Sequence, residues 1–215
     1  MRWMNSTSST LLVGVASAAF AMFSASAGAE TKPLEIKTVE DARSAVFAGG
    51  CFWCVEADFD KVDGVLETVS GYIGGDSAAP TYRTHARDGH LEAVKIAFDP
   101  DQVSYEQLVS YFFRTIDPTD AGGQFCDRGN SYTTAIFAQD DRQAQIARAE
   151  IEEIEASGVL EEPVVTKVRG DATFYRAEDY HQDYYKKKPL KYQFYRQACG
   201  RDARLEEIWG KDATG

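Results

Sequence analysis

Histidine is scarce in this chain, three among 215 residues, and nowhere do histidines and cysteines fall into the paired clusters that a structural zinc site needs. No metal is expected, and His90 of GHLEAV and His181 of DYHQDY are expected to be structural side chains with satisfied ring nitrogens. Basic residues are also in the minority. With 23 Lys and Arg against 34 Asp and Glu, the formal net charge is −11, which argues against nucleic acid and anionic membrane surfaces as partners. There is no internal repeat. Nor is there an apolar run long enough to cross a bilayer: the longest, LLVGVASAAFAMF at residues 11–23, falls short of the roughly 20 residues a span requires. That run follows MRWMNSTSST, in which Arg2 carries the only charge, and precedes Ala27-Gly28-Ala29, small residues at the spacing a signal peptidase takes. Residues 1–29 therefore read as a secretory signal peptide. No cysteine stands at the cleavage point, so a lipid anchor is not expected, and the mature product should be exported, soluble and periplasmic.

Removing the first 29 of 215 residues leaves 186, enough for one domain with a substantial core, and takes away one positive charge, so the net charge becomes −12. Four cysteines, Cys51, Cys54, Cys126 and Cys199, in an exported chain would ordinarily form two structural disulfides in one of three pairings. The surroundings of Cys51 say otherwise. It stands in GGCFWCVE (49–56), between two glycines and two large aromatics, neighbours that a structural cystine does not need.

Residues 30–43 (ETKPLEIKTVEDAR) are polar and read as an N-terminal arm. SAVFAGG (44–50) is a short buried strand stopping at a tight turn, after which Phe52, Val55, Phe59 and Val62 recur at helical spacing. ETVSGYIGG (67–75), HLEAVKIAFDP (90–100), YTTAIFA (132–138) and PVVTKVR (163–169) read as strands. SYEQLVSYFFRTI (104–116) reads as a helix opened by a Ser104–Gln107 capping box, and DRQAQIARAEIEEIEAS (141–157) as a helix with an Asp140 cap and a Gly158 stop. Beyond residue 170 the pattern is irregular and rich in tyrosine, with a helical look only in RLEEIWG (204–210). The whole is a single α/β-type domain wrapped by a long, loop-rich C-terminal segment.

A thiol attacks as thiolate, and a helix N-terminus favours the anion through its free amides and its dipole. Cys51 is placed at such a start, and the two glycines before it allow a sharp turn and a close approach of substrate. Phe52 and Trp53 are adjacent on the helix and cannot both enter one core face, so one of them should line a pocket. Aromatic rings beside a reactive thiol make a cradle for a small apolar group, and thioether methyls pack well on such rings.

GCFW followed by VE, then SGYIGG, PTYRTHARDGHLEAVKIAFDP, the SYEQL helix, IDPTDAGGQFCDRGNSYTTAIF and FYRAEDYHQDY together resemble the peptide methionine sulfoxide reductase A family, from about residue 44 to about 209. The resemblance implies an α+β fold, a two-layer α/β sandwich with a ferredoxin-like core and a mixed sheet. It sets a catalytic domain over 44–198 and a C-terminal segment, 199–215, that carries a resolving cysteine. It implies reduction of the S epimer of methionine sulfoxide, free or protein-bound, with no metal or flavin cofactor and with a thioredoxin-like reductant as partner. A monomer is expected.

By the same resemblance Cys51 is the nucleophile and Glu92 of GHLEAV the acid. Tyr82 of PTYR and Tyr132 of NSYTTAIF bind the sulfoxide oxygen. Phe52 and Trp53 form the methyl-binding wall, and Asp127 of FCDRG lines the pocket. Glu92 shares its strand face with Val94 and Ile96, where desolvation keeps a carboxyl protonated, as a proton donor needs. Glu56, one turn into the helix, is a lesser candidate with a structural role. The oxidised Cys51 condenses with a second thiol, ranked Cys199, then Cys54, then Cys126. Cys54 is a departure, since many relatives have glycine there. The Cys51-x-x-Cys54 spacing also keeps open a second activity, that of a periplasmic dithiol-disulfide oxidoreductase, which would have no use for Glu92, Tyr82 and Tyr132. A disulfide-stapled binding module is a third reading, and it gives no reason for GCFW.

Overall fold

The computed structural model describes residues 42–211; the signal segment and all but the last two residues of the arm lie outside them. Strand β1 (Arg43–Gly49) lies inside a six-stranded sheet of order β7-β6-β1-β3-β2-β8, whose other members are β2 (Val65–Ile73), β3 (Leu91–Phe98), β6 (Thr134–Ala138), β7 (Lys167–Gly170) and β8 (Phe174–Arg176). All neighbouring pairs are antiparallel except β6 with β7, so the sheet is mixed. A two-stranded ribbon, β4 (Gly123–Gln124) with β5 (Asp127–Arg128), stands apart from it.

Period-two alternation decides which side chains meet the helices. Ala45, Phe47, Val94 and Ile96 join one core with α1 (Phe52–Phe59), α2 (Tyr105–Arg114) and α3 (Asp141–Ser157), whereas Val46, Ala48, Leu91 and Ala93 belong to a second cluster. In the first, Phe47 stacks between Phe59 and Phe112 with centroids 5.3 and 4.8 Å away. Each ring so buried contributes roughly 1.5–3 kcal/mol of transfer free energy. The caps read from sequence are present. Ser104 Oγ accepts from the Gln107 amide while the Gln107 side chain accepts from the Ser104 amide, Asp140 accepts from the Gln143 amide, and Gly158 closes α3 at φ +68°.

Two stretches differ from expectation. Helix α1 stops at Phe59, so Val62 packs on the core from a turn beyond it. The segment after 170 contains β8 and three helices, α4 (Tyr184–Lys187), α5 (Pro189–Ala198) and α6 (Arg201–Trp209), and is more regular than its loop-rich pattern suggests. Its anchors are polar, which hides them from an apolar periodicity. Buried Arg201 donates to the carbonyls of Thr115 (2.7 Å) and Gly49 (2.9 Å), Arg196 holds buried Asp58 at 2.9 Å, and Gln182 pairs with both backbone groups of Ser70. These bonds bring the C-terminal segment over the end of β1. No helix among the described residues is long and apolar enough to cross a membrane.

Candidate active site

The chain leaves β1 through Gly49 and Gly50 and enters α1 with Cys51 at its N-cap. Gly50 has φ +83°, a left-handed turn that a side chain would strain, and a Cβ there would lie 2.6 Å from the Gln124 side chain. At Gly49 a Cβ would press on Val55, Ile116 and Phe112. The glycines thus make the turn as expected, but the space they free is filled by protein and not by substrate.

A small open cleft follows the turn, lined by Cys51, Phe52, Trp53, Tyr82, Glu92, Asp127, Tyr132 and Tyr195. All seven side chains assigned from sequence to attack, acid and binding roles are brought together there. A larger depression, about 720 Å³, lies at the opposite end of β1 and has no cysteine in its lining. Glu56 is buried and its carboxyl is pushed up to about 7 by that burial, but it does not line the cleft. Phe52 is buried and Trp53 half-buried, as two adjacent helical residues should divide. Trp53 is fixed by stacking on Tyr184 at 3.8 Å and by donating its indole N–H to His181 Nδ1 at 3.0 Å. His90 is structural: Nδ1 accepts from the Gly75 amide, and Nε2 meets the Ser77 carbonyl at 3.0 Å.

Glu92 pairs in register with Tyr72 across β3 and β2 and is 2 % exposed. Burial pushes its carboxyl up to about 8, with the Asp127 and Cys54 charges adding, against the lowering effect of bonds from the Phe52 amide and the Tyr132 hydroxyl. At neutral pH it is mostly the neutral acid. The Phe52 amide donates to Glu92 Oε2 at 3.1 Å, so the first free amide of α1 serves the acid and not the Cys51 sulfur. That modifies the expected helix-start activation. Burial, the Cys54 hydrogen bond and the nearby charges of Cys54 and Glu92 hold the Cys51 thiol well above its ordinary value, while a bond from Tyr195 works the other way. Cys54 is drawn down to about 7 by the hydrogen bond from Cys51, against burial, with Arg201 and Arg196 adding. The two thiols therefore titrate as a pair, with Cys54 the more readily ionised.

Cys126 is bonded to Cys199, with Cα atoms 4.9 Å apart, while Cys51 and Cys54 are free. In this state Cys199, first in the sequence ranking, has no thiol to offer, and the thiol hydrogen-bonded to Cys51 is Cys54. Two residues of the site escaped sequence reasoning. Tyr195 bonds Cys51 and donates to Asp127 Oδ2 from α5, a helix with no apolar period in its sequence; its only trace is its position one turn before Cys199. His85, 3.7 Å from Glu92, left no pattern at all.

A dithiol at a helix start, beside a buried neutral carboxyl and three phenols under an aromatic wall, defines a thiol-based oxidoreductase with built-in acid assistance. The comparisons narrow the class. Residues 43–213 match the family model described as peptide methionine sulfoxide reductase. The chain is 59% identical over 169 residues to peptide methionine sulfoxide reductase MsrA 2 of Rhizobium meliloti, covering 79% of this chain and 84% of that one. It is 47% identical over 173 residues to MsrA of Bacillus subtilis, covering 80% and 98%. Among solved structures it resembles methionine sulfoxide reductase A of Corynebacterium diphtheriae at TM-score 0.61 and 31% identity, covering 69% of this chain and 76% of that one. The chain belongs to the peptide methionine sulfoxide reductase family, and it is an oxidoreductase that reduces methionine sulfoxide.

Proposed function

We propose that the enzyme acts on the S epimer, free or within proteins, through a sulfenic acid on Cys51, and that a thioredoxin-like dithiol restores the resting state. The observation that carries this is the buried neutral carboxyl of Glu92 in one cleft with the Cys51 sulfur. Phe52 and Trp53 hold the S-methyl group, Tyr82 and Tyr132 donate to the sulfoxide oxygen, and Asp127, held by Tyr195, closes the polar side. The Cys51 sulfur attacks the sulfoxide sulfur while Glu92 protonates the oxygen, which cannot leave as an oxide anion. One thiol and one sulfoxide become one sulfenic acid and one thioether. The sulfenic acid then condenses with a thiol, forming a disulfide and releasing water. The hydrogen bond between Cys51 and Cys54 supports Cys54 in that step, with Cys199 and Cys126 entering once their own bond is reduced. Exchange with an external dithiol reduces the disulfide and completes the cycle.

Likeness to the family supports the epimer and the donor class, and the apolar run at 11–23 before Ala27-Gly28-Ala29 supports export to the periplasm. A donor fed through the inner membrane would then be required. The test is to supply the pure mature protein with each sulfoxide epimer and dithiothreitol, and to measure thioether. Release from the S epimer alone is expected; release from the R epimer at an equal rate defeats the assignment. N-terminal sequencing of the protein from fractionated cells should begin at Glu30, and an intact Met1 would defeat export.

A further inference from the structure

His85 has no part in the chemistry above, yet its surroundings are specific. It lies in the turn between β2 and β3, 3 % exposed, with its ring stacked on Tyr72 at 4.8 Å and on Tyr82 at 5.7 Å. Its Nδ1 is 2.9 Å from the Tyr82 carbonyl oxygen. A carbonyl only accepts, so Nδ1 carries the hydrogen. Burial pushes the imidazole pKa down, leaving the ring neutral, and a neutral ring with hydrogen on Nδ1 has a lone pair on Nε2. That Nε2 has no hydrogen-bond partner among the described residues, and it is 3.7 Å from Glu92 Oε1.

The carboxyl is the complement of this lone pair. Oε2 receives the Phe52 amide, and the Tyr132 hydroxyl also bonds Glu92 from the cleft side. The Phe52 amide occupies Oε2, and the Nε2 lone pair 3.7 Å from Oε1 is a buried acceptor without another partner among the described residues, available to the acid's own hydrogen. Closing the gap to an ordinary hydrogen bond takes about 0.5–1 Å of movement. We propose that His85 is a positioning residue for the catalytic acid: its Nε2 accepts the Oε1 hydrogen of Glu92 and keeps the acid neutral and oriented between turnovers. A hydrogen bond made to the neutral form disfavours the ionised one, so the acid stays loaded to higher pH than burial alone would hold it. The inference rests on Glu92 being the acid.

Other groups face the same pair and stay in place when His85 is changed. Around Glu92 these are Asp127, Cys51, Cys54, Tyr72, Tyr82 and Tyr132, all of which oppose its ionisation when themselves ionised. Around His85 they are His90, His181 and Glu178, the last occupied by the Tyr72 hydroxyl and the Tyr82 amide. A change in the titration of Glu92 on replacing His85 therefore reports the loss of Nε2.

Three measurements test this. In the wild-type protein, 15N NMR should find His85 as the Nδ1–H tautomer with a hydrogen-bonded Nε2 whose shift moves in Glu92→Gln; an Nε2–H tautomer overturns the proposal without any His85 variant. In His85→Phe, which keeps the stacked ring, the alkaline limb of kcat/KM should fall by about one pH unit, some fivefold in rate at pH 8 with little change at pH 6. His85→Gln, whose amide oxygen can accept, should recover part of it. The infrared carbonyl band of protonated Glu92, identified by its absence in Glu92→Gln, should move to higher wavenumber in His85→Phe. A folded His85→Phe with limb and band unmoved overturns the proposal. Full activity in Glu92→Gln would instead defeat the acid assignment, while the NMR and infrared readouts still decide whether His85 bonds Glu92.

Discussion

The two cysteine pairs of this chain are built for opposite ends. Cys51 and Cys54 share the first turn of α1, buried at 6 % and 1 % exposure, hydrogen-bonded to each other and unlinked. Cys126 and Cys199 are joined across 73 residues, with Cys126 exposed, and tie the β4–β5 ribbon to the end of α5. The inner pair is surrounded by groups that tune a charge, namely Glu92, Arg196 and Arg201. The outer pair closes a long loop. What separates them is environment: only the inner pair has the buried Glu92 carboxyl and the aromatic wall beside it. Asp127 joins the two, since it lines the cleft, follows Cys126 in the chain and lies 3.8 Å from the Cys199 sulfur.

Breaking the inner pair should have the largest effect. Cys51→Ser removes the nucleophile, and loss of thioether release on the order of 10⁴-fold or more is expected, measured with the S epimer and dithiothreitol. Glu92→Gln keeps the shape and removes the proton, for which general acid catalysis predicts a loss of roughly 10²–10⁴-fold in kcat/KM. Cys54→Ser should still release one thioether per chain in a single turnover but should slow steady turnover at least tenfold with a thioredoxin-like donor. Undiminished steady turnover in that variant would return the resolving role to Cys199. The outer pair should respond differently. Replacing both Cys126 and Cys199 by Ser is expected to leave the dithiothreitol-driven rate within about twofold while lowering unfolding stability by about 4 kcal/mol, the loop-closure contribution of a bond of this span. If turnover with a protein donor collapses instead, the outer pair carries electrons and the contrast between the pairs disappears.

Most of the sheet and the helices packed on it were legible in the sequence, because strand alternation in HLEAVKIAFDP and the caps at Ser104, Asp140 and Gly158 are local signals that the tertiary structure leaves intact. That Cys51, Phe52, Trp53, Tyr82, Glu92, Asp127 and Tyr132 would share one cleft was legible through motifs. The C-terminal helices were not. α5 buries one residue, Tyr192, and is held by Arg196 on Asp58 and by the bond at Cys199, contacts with no period to detect. Tyr195 and His85 escaped for the same reason, since each is defined by a partner distant in sequence or on another element. The order Cys199, Cys54, Cys126 followed from family resemblance, and the hydrogen bond between Cys51 and Cys54 left no mark in the sequence because it exists only once α1 is formed.

The last effect is one of stability alone and sharpens the contrast from that side. Glu92 has a folded pKa of about 8 against an unfolded value near 4.5, so folding opposes its ionisation. Below the unfolded pKa the carboxyl is neutral in both states and carries no penalty. As pH rises from about 4.5 to about 8, the unfolded chain releases its proton first, and the native state loses stability relative to it. Glu92→Gln cannot ionise and escapes that loss. The variant should therefore match the wild type near pH 4 and exceed it by roughly 4 kcal/mol at pH 8, read from urea unfolding at the two values. A stability difference that does not change with pH would mean that Glu92 is ionised in the folded enzyme, leaving the thiol pair without a proton donor beside it. A difference that grows as described would mean that the buried acid lowers stability where the outer disulfide raises it.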